Sequence, residues 1–267
     1  MPTLSPSLIG ELADVAEALA DAARPATLQH FRSGVAAENK DAAGFDPVTE
    51  GDRAAERAMR DILASRRAKD GILGEEFGFT AGTTGLTWVL DPIDGTRAYL
   101  AGTPSWGVLV AVSDETGPIL GLIDQPYIGE RFFGGPHGAW MHGPTGRRAM
   151  RTSATASLGD AILFTTFPEI GTARERRAFE ALSRGVRLTR YGLDCYAYGL
   201  LAAGHVDLVV EAGLEAYDIQ GPMAVVQGAG GVVTDWRGGS AAQGGRVVAA
   251  ANPDLHAAAL AILGEVP

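Results

Sequence analysis

The chain has one cysteine in 267 residues, Cys195, which excludes an internal disulfide and any zinc site built from several thiolates. Lysine is nearly as scarce: Lys40 and Lys69 are the only two. Acidic residues outnumber basic ones, 32 to 22, giving a net charge of −10. That balance argues against nucleic acid or an anionic membrane surface as a partner, and no basic patch opposes it. No stretch approaches the roughly 18 consecutive apolar residues that a membrane span needs. Near the amino terminus a basic start is missing, and Glu11, Asp14 and Glu17 interrupt any apolar core, so the segment does not read as a signal peptide. A reducing cytoplasm is the expected compartment. There are no internal repeats.

The 46% hydrophobic content is ample for a sizeable core. Leu8, Leu12, Val15 and Leu19 recur at helical spacing, with Ser5 placed as a cap and Pro6 in the first position. A second helix follows Thr49, where Thr49 to Asp52 fits a capping box and Ala55, Ala58, Met59, Ile62 and Leu63 share a face. Strands are expected over residues 87–90, 106–112, 119–124, 131–134 and 161–164, and the Gly/Pro-rich stretch 134–146 reads as a loop or hairpin. Beyond Arg187 helices and strands alternate: a helix over 195–203, a strand over 206–210, a helix over 219–227, strands over 232–234 and 247–250, and a last helix after Asn252-Pro253. Such alternation favours a layered α/β fold, read as one domain over 1–267 with halves at about 1–183 and 184–267.

The chemistry concentrates where Thr87-Trp88-Val89-Leu90 empties into Asp91-Pro92-Ile93-Asp94-Gly95-Thr96. The run reads as a buried strand that the following Pro and Gly end. Two carboxylates and a backbone carbonyl at a strand's carboxyl end suit a hard cation such as Mg²⁺, although an Asp-Pro pair is also an ordinary turn. Gly74-Glu75-Glu76 likewise follows an apolar pair, Ile72-Leu73. Asp218 opens a helical pattern, so it serves equally well as an acid at the helix N-terminus.

These residues resemble the Mg²⁺-dependent, lithium-sensitive phosphomonoesterases typified by inositol monophosphatase. One signature is similar to Trp88 through Thr96; the other to Tyr217-Asp218 followed ten residues later by Gly228-Ala229-Gly230-Gly231, with Tyr217 where Trp is more usual. Gly74-Glu75-Glu76 and Thr49-Glu50-Gly51-Asp52 complete the pattern. The resemblance implies an αβαβα sandwich of the inositol monophosphatase and sugar phosphatase type, a homodimer, and a site holding two or three Mg²⁺ ions. By residue it implies Glu75, Asp91, the Ile93 carbonyl, Asp94 and Asp218 as metal ligands, and Thr96 and Asp52 as the pair that places the attacking water. Glu75 would be the general base, and the backbone N–H groups of Gly95 and Thr96 would face the phosphate.

Within that family the chain resembles the branch acting on histidinol phosphate, on Phe45 to Thr49, Asp94 to Tyr99 with Gly102 and Trp106, and Asp194-Cys195-Tyr196-Ala197-Tyr198. Inositol phosphatases usually carry small residues in the last segment. Asp194 brings a carboxylate suited to a cationic substrate, or else caps the helix after it. Glu211 stands seven residues before Asp218, the spacing of the family's contact to a substrate hydroxyl or amine, or is a plain strand-end acid. Arg190 is expected to pair with Glu211 or Asp194. Lys40 assists phosphate or is solvated. The competing functions are another phosphatase specificity, for inositol monophosphate or a sugar or adenosine bisphosphate, and a scaffold that keeps only the fold. A scaffold is expected to have lost a metal ligand, and none is missing.

Overall fold

The computed structural model describes residues 5–34, 38–39 and 47–264. Lys40 and the Phe45-Asp46 pair lie outside them. The elements run in order as α1 (Pro6–His30), β1 (Glu38–Asn39), β2 (Pro47–Val48), α2 (Glu50–Arg66), β3 (Gly71–Gly74), β4 (Gly78–Thr80), β5 (Thr87–Asp94), α3 (Thr96–Ala101), β6 (Gly107–Asp114), β7 (Gly117–Gln125), β8 (Glu130–Gly135), β9 (Gly138–Gly143) and β10 (Gly146–Ala149). A 3₁₀ turn, Leu158–Asp160, leads into β11 (Ile162–Thr165), α4 (Ala173–Ser183), β12 (Leu188–Tyr191), α5 (Tyr196–Ala202), β13 (Leu208–Leu214), α6 (Ala216–Gly228), β14 (Val232–Thr234), β15 (Gly245–Ala250) and α7 (Pro253–Leu263).

Besides the β1/β2 pair, the strands form an eight-stranded sheet in the order β10-β9-β8-β7-β6-β5-β3-β4 and a five-stranded sheet in the order β12-β11-β13-β15-β14. The larger sheet is antiparallel except between β3 and β5, and in the smaller β11 runs parallel to both its neighbours. Strand periodicity sorts the side chains into layers. Val108, Val110 and Val112 of β6 turn outward onto Leu12, Leu19 and Met59 of α1 and α2, while Leu109 turns inward with Ile123 and Phe132. Those inward residues share a core with Ile219, Val225 and Val226 of α6 and with Val209 and Val247 of the smaller sheet. On that sheet's far side, Leu208 and Val248 pack against Phe179 and Leu182 of α4 and Leu255 and Leu263 of α7. The result is the expected five-layered αβαβα sandwich.

Residues 134–146 supply a hairpin, β8 to β9, as one of the two expected forms, and it extends the large sheet. Two features differ from the sequence reading. Helices α3 and α4 are additional to the two helices expected before Ser183. Strand β5 does not end at Leu90 but continues to Asp94, with a slip against β6: Asp91 pairs with Leu109 and Asp94 with Gly107. The slip is one extra residue on β5, a bulge, at the point where Pro92 has no N–H to give the ladder.

Candidate active site

The bulge explains the Asp91/Asp94 geometry. Residues three apart on a regular strand face opposite sides; one inserted residue restores them to the same side. Asp91 and Asp94 accordingly converge with Asp218, one oxygen of each lying within 4.8 Å of the others. Asp91 Oδ1 accepts the N–H of Ile93 at 3.0 Å, closing the turn on itself. Asp94 Oδ2 accepts the N–H of Cys195 at 2.7 Å, across to the segment before α5. Asp218 is the third residue of α6, and its Oδ2 accepts the N–H of Glu215 at 2.7 Å.

A second acidic group, Asp52, Glu75 and Glu76, also gathers within 4.8 Å. Asp52 is the third residue of α2, where its Oδ2 accepts both the N–H (2.8 Å) and the Oγ1–H (2.6 Å) of Thr49, completing the expected capping box. Its Oδ1 is buried and has no hydrogen-bond partner. For both Asp52 and Asp218, then, the helix-terminus role and the place in an acidic cluster hold together. Glu76, named in sequence only as part of the Gly-Glu-Glu motif and given no role of its own, joins Glu75 in this cluster.

Burial, followed by the charges of Glu75, Asp94 and Asp218, pushes the Asp91 carboxyl well above the usual carboxylate range. Burial, followed by Asp218 and Asp194, does the same to Asp94. Burial outweighs the Thr49 bonds at Asp52, which is pushed up to about 6. Like charges this close are relieved by protons or by cations. The donors are carboxylates with neither imidazole nor thiolate among them, a hard-oxygen set that suits Mg²⁺, and the Ile93 carbonyl lies between Asp91 and Asp94 in the chain. The Thr96 hydroxyl donates to that same Ile93 carbonyl at 3.1 Å.

Beside Asp94 a cleft of about 340 Å³ is lined by Thr96, Arg97, Thr166, Phe167, Asp194 and Glu211. Asp194 does not cap a helix. Its backbone is left-handed, with φ 48°, α5 starts two residues later, and its Oδ2 accepts the Ser105 hydroxyl at 3.1 Å. The carboxylate lies on Gly95, where a Cβ would come 2.8 Å from Asp194 Cγ. Burial pushes Asp194 up to about 6 against the opposing Ser105 bond and the Arg97 charge. Glu211 is buried in the middle of β13, taking the Thr165 hydroxyl at 3.1 Å and the Thr166 N–H and hydroxyl at 2.7 and 3.0 Å. Burial holds it up at about 7 despite those bonds.

The expected Arg190 ion pair is not formed: Arg190 is exposed on edge strand β12, and the two carboxylates accept hydroxyls and an amide instead. Arg97 occupies the cleft instead, its guanidinium 5.1 Å from the centre of the Phe167 ring. It immediately follows the Asp-Gly-Thr motif. Thr166 and Phe167, by contrast, follow an unremarkable strand and carried no sequence signal. The Tyr198 hydroxyl is buried without a hydrogen-bond partner, and burial followed by the charges of Glu211, Asp94 and Asp218 raises its pKa.

Comparison with known proteins gives the family and the fold. The model of the inositol monophosphatase family matches residues 9–267. The chain is 38% identical to the bifunctional phosphatase IMPL2 of Arabidopsis thaliana, over 96% of this chain and 76% of that one. It is 36% identical to the histidinol-phosphatase of Streptomyces coelicolor, covering 94% and 96%, and 33% identical to a probable inositol 1-monophosphatase of Mycobacterium tuberculosis, covering 97% and 96%. Among solved structures, an inositol monophosphatase from Zymomonas mobilis superposes with a TM-score of 0.85 at 36% identity, over 98% of this chain and all of that one. No described helix is long and apolar enough to cross a membrane.

Proposed function

Because this chain belongs to the inositol monophosphatase family of phosphatases, we propose that it is a Mg²⁺-dependent phosphoric monoester hydrolase whose substrate is L-histidinol phosphate, released as L-histidinol and phosphate. The observation that supports this specificity best is the pairing of two acids, Asp194 and Glu211, in the cleft beside Asp94. Histidinol phosphate carries an ammonium group and an imidazole, for which carboxylates are the matching partners. A neutral polyol could bond one of these carboxylates through its hydroxyls but offers no charge to match the two together.

Glu75, Asp91, the Ile93 carbonyl, Asp94 and Asp218 would hold two or three Mg²⁺ ions. When bound, the ions supply positive charge that screens the phosphate and the departing oxygen. The chain's own residues place the reactants. Asp52 has one oxygen committed to Thr49 and the other unpaired, so with Thr96 it orients the attacking water; Glu75 takes the water's proton. The water oxygen bonds to phosphorus and the phosphorus–ester oxygen bond breaks; the leaving oxygen takes a proton from solvent and Glu75 gives its proton back to solvent, so that ester and water become alcohol and phosphate. The N–H groups of Gly95 and Thr96 face the phosphate. Arg97 lies next to Asp194 and limits how much negative charge the leaving-group side presents. The enzyme works as one domain in a homodimer, and its lone buried cysteine suits a reducing cytoplasm.

The test is phosphate release from L-histidinol phosphate and from myo-inositol 1-phosphate side by side, with Mg²⁺ and with a chelator. Mg²⁺-dependent preference for histidinol phosphate is the expected result. Preference for the inositol ester would keep the metal chemistry and overturn the assignment of the cleft. The inositol alternative is kept because relatives of both names match this chain.

A further inference from the structure

On α2, Asp52, Glu56 and Arg60 recur every four residues and so form one stripe along the helix. Asp52 belongs to the acidic group described above. Glu56, fully buried, does not. A buried carboxylate needs its oxygens bonded, and the partners of this one are informative. Glu56 Oε2 accepts the backbone N–H of Glu76 at 2.7 Å; Oε1 accepts the N–H of Phe77 at 3.3 Å and Arg60 Nε at 2.7 Å. Arg60 continues the grip, donating from Nη2 to the Gly78 carbonyl at 2.7 Å and from Nη1 to the Thr80 hydroxyl at 3.2 Å.

The turn between β3 and β4, which carries Glu75 and Glu76, is thus clasped by one side of α2. Its other side is tied to β5, where the Glu75 N–H donates to the Leu90 carbonyl at 3.1 Å. Gly74 shows how closely the clasp fits: a Cβ there would lie 1.9 Å from Glu56 Oε1. The carboxylate lies directly on the backbone of the Gly-Glu-Glu segment, which accounts physically for the glycine.

We infer that Glu56 is a positioning residue that fixes Glu75 and Glu76 for cation binding, acting through the Glu76 and Phe77 amides rather than as a ligand. This rests on the Mg²⁺ reading above. Outer partners that orient metal-binding groups typically change metal affinity about 10- to 100-fold when lost. In E56Q the amide NH₂ has no acceptor role, so one oxygen must serve donors that two now satisfy.

The test is Mg²⁺ titration calorimetry on purified wild type, E56Q and Gly74→Ala, with metal-free thermal unfolding measured alongside. The expected result is a roughly tenfold or greater rise in Kd for Mg²⁺ in both variants, with phosphatase activity recovering as Mg²⁺ is raised. Wild-type Mg²⁺ affinity in E56Q, with only the metal-free melting temperature lowered, would overturn the inference. Should E56Q fail to fold, Gly74→Ala and Arg60→Met decide by the same criterion, since each disturbs the clasp while keeping the carboxylate. If the wild type binds no Mg²⁺, the metal reading fails, which is a distinct outcome from equal binding by wild type and variants.

Discussion

The carboxylate of Asp94 accepts the backbone N–H of Cys195, 101 residues away, at 2.7 Å. One acid at the end of β5 is therefore oriented by the segment that leads into α5. Asp94→Asn retains an oxygen for this bond, whereas Asp94→Ala leaves the amide unpaired. Both variants are expected to be inactive. In metal-free urea unfolding, Asp94→Ala should be less stable than Asp94→Asn by about 1–3 kcal/mol, the cost of a buried unpaired donor.

Asp91→Asn keeps the Oδ1 that accepts the Ile93 amide but removes a charge from a crowded, buried site. Turnover should fall at least about a thousandfold, since several kcal/mol of charge stabilisation are lost. Metal-free melting temperature should rise, because the repulsion is gone. A fall in melting temperature would show that Asp91 holds the fold as well as the cation.

A carboxyl whose pKa is higher when folded holds its proton more tightly in the fold, so it stabilises the protein at low pH and that contribution is lost as pH rises through the folded value. Asp52 and Asp194 at about 6 and Glu211 at about 7 all act in this direction. The melting temperature of the chelator-treated protein should therefore decline from about pH 4 to about pH 7 on account of these groups. Cations compete with protons for the same oxygens, so the rise produced by Mg²⁺ should be larger at the higher pH. Differential scanning calorimetry at both pH values, with and without Mg²⁺, checks both signs.

Asp194→Ala is expected to damage turnover of histidinol phosphate at least about tenfold more than that of an aryl phosphate, the effect of losing one charge-assisted contact worth about 1.5–3 kcal/mol. Equal losses on the two substrates would leave Asp194 as a structural neighbour of Ser105 and Gly95. Gly95→Ala should lower both activities, because its φ of 82° disfavours a side chain and the new Cβ would press on Asp194.

What the sequence disclosed was local. Asp52 was legible because a capping acid follows its cap by three residues, Asp218 because it opens a helical pattern, and Asp91 and Asp94 because they follow an apolar run. The bulge that turns both aspartates to one side was not legible, since it depends on pairing with β6. Glu56 looked like any acid on an amphipathic helix until the Gly74 turn was placed against it. Helix α3, at six residues, is too short to show a period, whereas α4 carries a sequence signal in the Thr172/Glu175 capping box. Asp194 followed cap statistics in sequence; its left-handed backbone sends the carboxylate elsewhere.

Asp52 and Asp218 each complete the first turn of a helix with one oxygen, through bonds that need no ion. Stripping the cations therefore withdraws the chemistry without unravelling either helix start. On the Mg²⁺ reading proposed above, such a molecule can be made and kept empty and charged later, its activity following the supply of free magnesium while both helix starts stay formed.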